Sequence, residues 1–199
     1  MKLHRIFLLL ILGVALAACE TTSSRPYDAS TSNVLQIKSK LGANNAKVQV
    51  GEVDMAPDVN GEPTCRMLGA LDVGAGKPVS SYIQEALREE LFLADAYDSN
   101  SNVIIEATID KLEFDSFGEG TWDIGLVVRS SVHDGYRVET HYTYKSSFSA
   151  LRACQNVVDA FNPTVNELIS SVISHPEFSA LTGADGAVDQ TAAAQSPSQ

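Results

Sequence analysis

VIIEATIDKLEFDSFGEGTWDIGLVVRSSVHDGYRVETHYTYKSSF, residues 103–148, carries the pattern of three strands in a row. Val103, Ile105, Ala107 and Ile109 alternate with other residues, which places them on one side of an extended chain. The apolar parity then switches to Leu112 and Phe114, so a bulge is predicted near Asp110-Lys111. Trp122, Ile124, Leu126 and Val128 mark the next strand, and Val138, Tyr142, Tyr144 and Phe148 the one after it. Asp134-Gly135 sits between these two. A two-residue loop there would bring Val128 against His141 and mix the faces. A three-residue loop His133-Asp134-Gly135 instead pairs Val132 with Tyr136, Leu126 with Tyr142 and Ile124 with Tyr144, with Gly135 in the left-handed conformation. That register is the expectation.

Upstream, Lys47 to Val53 alternates as a half-buried strand does, and a Pro/Gly-rich loop follows from Pro57 to Pro78. Val79, Ile83, Leu87, Leu91 and Ala94 then recur at helical spacing, with Glu85, Arg88 and Glu89 off that stripe. Ser81 with Gln84 reads as a capping box. Downstream, Cys154, Val158, Phe161, Val165, Leu168 and Val172 form a second helical stripe. Pro163 interrupts it, Asn162 could cap there, and His175-Pro176 ends it, so a kink or two abutting helices is expected. The order β-α-β-β-β-α predicts an α+β fold. It is a two-layer sandwich, a four-stranded, mainly antiparallel sheet with two helices on one face.

The ends of the chain read differently. Lys2 and Arg5 flank a run from Ile6 to Leu16 that is apolar apart from Gly13, too short for a membrane span. Small residues follow, and Leu16-Ala17-Ala18-Cys19 closes the segment. This is the pattern of a secretory signal peptide over residues 1–18. With a cysteine at the first mature position, it resembles the lipobox of bacterial lipoproteins, and that resemblance implies acylation, palmitate included, at Cys19. A plain secretory peptide with a chance cysteine is the alternative. Residues 19–45 read as the lipidated cysteine and a flexible tether, since Glu20 to Ser32 is polar and without apolar period. Residues 46–181 read as the globular domain, and 182–199 as a disordered tail.

The whole chain holds 14 basic and 25 acidic residues, a net charge of −11, and losing Lys2 and Arg5 with the signal makes it more acidic. Such a chain has no electrostatic footprint for nucleic acid. Cys65 and Cys154 are the other cysteines, and an exported compartment permits a disulfide between them. It would clip the long loop onto the second helix, the alternative being two unpaired thiols. Asp98 to Asn102 imitates the start of a calcium loop, but Val103 stands where glycine is required and Ile109 where the bidentate glutamate belongs. Glu113, Asp115, Glu119 and Asp123 cluster around one turn, more as a solvated hairpin end than a weak cation site. His133, His141 and His175 lack metal-ligand spacing. Gly74-Ala75-Gly76-Lys77 lacks the rest of a phosphate loop, and no nucleophile motif is present. The expectation is a protein that is not an enzyme, with no catalytic residues, metal or cofactor.

The signal, the helix Tyr82-Ile83-Gln84-Glu85-Ala86-Leu87-Arg88-Glu89-Glu90-Leu91, the three following strands and the terminal helix together resemble the YajG-type lipoproteins. More distantly they resemble the auxiliary lipoproteins of ABC transport systems and the lipoprotein of lipopolysaccharide assembly. The resemblance spans most of residues 46–181, and the pair Cys65/Cys154 departs from it. It implies a lipid-anchored envelope protein on the periplasmic face of the outer membrane, Glu20 rather than Asp after Cys19 favouring that membrane over the inner one. Its expected role is adaptor or accessory subunit, with an envelope protein as partner. The alternative is a lipid-binding subunit of an ABC-type transport system, which would need a cavity lined by Leu126, Tyr142 and Leu168.

Overall fold

The computed structural model describes residues 24–185; the signal peptide, Cys19 and residues 186–199 lie outside these. Four strands form one sheet in the order β1-β2-β3-β4. They are β1 (Gln49–Met55), β2 (Ile104–Asp115), β3 (Gly120–Ser130) and β4 (His133–Tyr144). β1 runs parallel to β2, and the other neighbours are antiparallel. The helices are α1 (Thr31–Leu41), α2 (Val79–Leu93), α3 (Ala150–Ser174) and the short α4 (Phe178–Leu181). This is the expected α+β sandwich, with α2 against β1 and α3 against β3 and β4.

One face of the sheet is apolar because the side chains alternate. Ile105, Ala107 and Ile109, then Trp122, Ile124, Leu126 and Val128, then Tyr136 and Val138, are all buried under the helices. Two of these aromatics also bond to α3. Trp122 Nε1 donates to the Val157 carbonyl at 2.9 Å, and the Tyr136 hydroxyl donates to that of Val172 at 2.7 Å. These two bonds fix where α3 lies along the strands.

The bulge falls where the parity switch placed it, with Ile109 opposite Leu126 and Lys111 opposite Gly125. A second bulge lies in β1 between Val50 and Val53, so the alternation read over Lys47 to Val53 breaks there. Gln84 is not a capping residue: its Nε2 donates to the Gly51 carbonyl at that bulge, and α2 begins after Pro78 without a side-chain cap. α3 runs through Pro163 as a single helix, and Asn162 bonds Tyr82 and Asn166 rather than capping.

The hairpin register differs from expectation by four residues of β4. Leu126 faces Val138, Ile124 faces Thr140, and the turn is Ser131-Val132. Between Ser130/His133 and Val128/Tyr136, two residues of β4 oppose one of β3, so Asp134-Gly135 is a bulge and not the turn. Parity is conserved, which is why the faces come out as expected. Gly135 has φ +99°, and a Cβ there would collide with the Val128 carbonyl.

Two boundaries also move. Residues 31–41 are not tether. They form α1, capped by Ser30, with Asn33, Ile37 and Leu41 buried against α2 and α3. At the other end Thr182 and Ala184 are buried, so the domain continues past residue 181.

Gly135→Ala should lower stability by at least about 1 kcal/mol, because the left-handed backbone and the collision both oppose a side chain. Gly42→Ala, at φ −63° with open space around it, should be neutral or stabilising. Urea midpoints of the two variants check both signs.

Candidate functional site

Two polar assemblies hold the ends of the domain together. The first surrounds Glu90, which is completely buried on the stripe of α2. Its Oε1 accepts from the Tyr27 hydroxyl at 2.7 Å, the Ser30 backbone N–H at 2.8 Å and Asn33 Nδ2 at 3.3 Å. Oε2 is buried without a partner. Asn33 also donates to the Asn166 carbonyl, and Asn166 Nδ2 donates to that of Asp28. Tyr27 then starts an aromatic chain through Tyr82, Phe161 and Trp122 to Phe114, with centroids 5.0–6.1 Å apart. Burial and the Glu90 carboxylate push the Tyr27 hydroxyl far above the ordinary tyrosine range. Burial first, then Glu90, Asp28 and Glu85, raise the Glu89 carboxyl.

The second assembly gathers three loops. A disulfide joins Cys65 to Cys154 with Cα atoms 5.8 Å apart, clipping the loop after β1 onto α3. The next residue, Arg66, holds φ +50°. It donates to the Ser116 carbonyl at 2.6 Å, the Ser147 carbonyl at 3.2 Å and the Phe148 carbonyl at 3.4 Å, and its guanidinium lies 4.5 Å from the Phe117 ring centroid. Around it Met67, Leu68, Phe117, Phe148 and Leu151 are exposed.

The open face of the sheet is a ladder of paired charges. Arg137 donates to Asp110 and Glu139, Lys111 to Glu139, and Arg129 to Glu106. Gly125 makes this possible: a Cβ there would fall on Asp110 Oδ1 and Arg137 Nη2. The hydrogen bond from Lys111, then that from Arg137, holds the Glu139 carboxyl below its usual range.

The remaining candidates take structural places. Asp98 accepts from Asn100 N–H and, through its carbonyl, from Ser101 N–H, a polar turn. Asp115 accepts from Phe117 N–H, while Asp123 lies 2.8 Å from His141 Nδ1 and 3.7 Å from Lys111. His133 accepts from Gly135 N–H, and His175 stacks on Tyr136. Asp72 accepts from the N–H of Gly76 in the Gly74–Lys77 loop, which lines an open cleft of about 660 Å³ with Met55 and Leu71. Among the described residues, no group of three or more His, Cys, Asp or Glu is placed to hold a metal ion. Leu126 and Leu168 are packed in the core. Glu90 and Arg66 organise both assemblies, yet neither stood out in the sequence. Glu90 carries a signal, lying three residues after Leu87 and seven after Ile83, on the apolar stripe.

No family model matches the chain, and no curated protein matches it. Solved structures resemble the chain only at low likeness. A DUF330 protein from Xanthomonas campestris is 11% identical with a TM-score of 0.48, covering 72% of this chain and 88% of its own. A protein provisionally described as a lipoprotein, from Caulobacter crescentus, is 12% identical with a TM-score of 0.40, covering 81% and 98%. A hypothetical protein from Chlamydia trachomatis is 10% identical, also at 0.40, covering 69% and 99%. Values this low transfer no role.

Removing the bridge by Cys65→Ser with Cys154→Ser should destabilise the domain by up to about 4–5 kcal/mol, the chain-entropy value for a separation of 89 residues. Urea unfolding against the parent measures this. Alkaline pH should also destabilise. Tyr27, Tyr82, Tyr136 and Tyr144 are raised in the folded state, chiefly by burial, while an unfolded tyrosine ionises near 10. Their contribution is therefore intact below about pH 10 and is lost as pH climbs from there through the folded values. Tyr27→Phe should flatten that loss in unfolding curves taken across the range.

Proposed function

We propose that the protein is a non-catalytic, lipid-anchored envelope protein, acylated at Cys19 on the periplasmic face of the outer membrane, where it serves as an accessory subunit of an envelope assembly. The observation that carries this reading is the join between the signal and the domain. Leu16-Ala17-Ala18-Cys19 ends a short apolar run, and only five residues later Ser24 Oγ accepts from Ala75 N–H in the folded domain. Two or three acyl chains supply the anchor, each buried methylene contributing about 0.8 kcal/mol. No helix among the described residues is long and apolar enough to cross a membrane.

The accessory role rests on how the polar groups are used. The buried carboxylate, its tyrosine and both asparagines bond one another, and the charges of the open face pair among themselves. The lipid-carrier alternative needs space between sheet and helices lined by Leu126, Tyr142 and Leu168, whereas Leu126 and Leu168 are 2% and 0% exposed and Tyr142 packs partly buried against the core. Packing at that position supports the adaptor reading.

Cys19→Ala should abolish acylation, seen as loss of the acyl mass from the intact protein, and should stop the protein floating with membranes. Unchanged flotation of that variant would overturn the anchor. Purification of the acylated protein in mild detergent should yield one near-stoichiometric protein partner; abundant bound lipid without one would favour the carrier instead.

A further inference from the structure

We propose that the apolar tip formed by Met67, Leu68, Phe117, Phe148 and Leu151 is a second membrane contact, seated in the headgroup region of the bilayer that holds the anchor. The inference rests on Cys19 being acylated.

The five residues come from three segments, and Arg66 together with the Cys65–Cys154 bridge makes them one surface. Met67 is 99% exposed and Phe148 106% exposed, so neither contributes to the core. Apolar surface gathered at a rigid tip marks a site of contact with a protein or a membrane.

The chain's own path selects the bilayer. Between residues 24 and 41 the backbone runs along α3, away from the tip. Arg25 lines a small cleft with Val158 and Asn162, Tyr27 meets Asn166, and Lys40 donates to the Ile173 carbonyl. Traced backwards, the path leads towards the tip and reaches Ser24, bonded to Ala75 in the loop that also carries Met67. Val158 and Leu151 are separated by about 10 Å of helix. Five residues from Ser24 to Cys19 span at most about 18 Å. The end of α3 that carries Leu151 is therefore within reach of an anchor at Cys19.

Charge agrees with this placement. The chain carries −11 overall, yet Arg66, Lys145 and Arg152 flank the tip, against Asp115 and Glu119 on its hairpin side. Cations beside exposed apolar residues suit an interface with anionic headgroups.

The test uses the acylated protein, reconstituted in vesicles of phosphatidylethanolamine and phosphatidylglycerol with and without brominated acyl chains. Trp122 is fully buried and supplies a constant background. Phe148→Trp replaces an exposed side chain, and Met67→Trp provides an independent second probe. Both should shift to the blue on reconstitution and lose about half their added emission in brominated vesicles, as expected for side chains at the headgroup–acyl boundary. Val132→Trp, at the far end of β4 about 40 Å away, should be unaffected. Unquenched Trp at both tip positions, in protein that is acylated and floats, would overturn the membrane contact and assign the tip to a protein partner. Equal quenching at Val132 would overturn it too, since the domain would then lack the proposed orientation. Acylation is read separately from the intact mass. Its absence would sink the anchor, and the tip reading with it unless both probes were still quenched.

Discussion

Glu90 sets the condition that the rest of the helical layer satisfies. A carboxylate with no solvent exposure is costly unless donors surround it. All three that reach it lie within residues 27–33, ahead of the helix-and-strand core. The N-terminal segment must therefore dock whenever α2 is in place. Docking carries α1 across the seam between α2 and α3, where Ile37 and Leu41 add apolar burial to the polar bonds. Taking the donors away would leave a buried polar group unsatisfied, a loss on the order of 1–3 kcal/mol. One glutamate thus decides that the chain enters the domain at a defined point rather than trailing from it.

At the opposite end the problem is entropy. The loop between β1 and α2 is long, and loops of that length need their own supports to hold one conformation. The disulfide supplies one, and Arg66 supplies another by bonding to carbonyls of two other loops. Arg66 itself sits in the left-handed region, a strain that its hydrogen bonds and the Phe117 contact offset. These contacts hold the segments that carry Met67 and Phe148, both of them exposed.

How much of this could be read beforehand follows from the period of each pattern. Alternation along 103–144 fixes which side chains share a face, and the structure agrees on every strand. Register is a different quantity. Any slip by an even number of residues keeps the faces, so the alternation could not distinguish Leu126–Tyr142 from Leu126–Val138, and Asp134-Gly135 drew the turn to itself when it forms a bulge. The Asp110 bulge was legible because it breaks parity. α1 was hidden by its composition: Val34, Ile37 and Leu41 have helical spacing, but polar residues and lysines between them read as tether. The polar node was hidden for a related reason, since a glutamate on an amphipathic helix is normally solvated and nothing local announces its partners 57 to 63 residues away. The Cys65–Cys154 pair needed only the compartment implied by the signal.

The two ends of the domain act together through charge. On the open sheet face, each cation of the ladder meets carboxylates at 2.5–3.0 Å, so little of that field is left for a partner, and such exposed pairs contribute little stability individually. The ladder spreads charged side chains across the face of the sheet opposite the helices. The remaining acidic surface is repelled by anionic headgroups, whereas the tip presents Arg66, Lys145 and Arg152 beside its apolar residues. On the proposed anchor, a short attachment from Cys19 would limit the distance from the membrane but not the rotation of the domain. The cations and apolar residues of the tip would favour one rotation over the others, offset in part by Asp115 and Glu119 on its hairpin side. The proposed orientation would thus draw on three features that act through different physics: the docking of residues 27–33 around Glu90, the contacts gathered by Arg66, and the charge left on each surface.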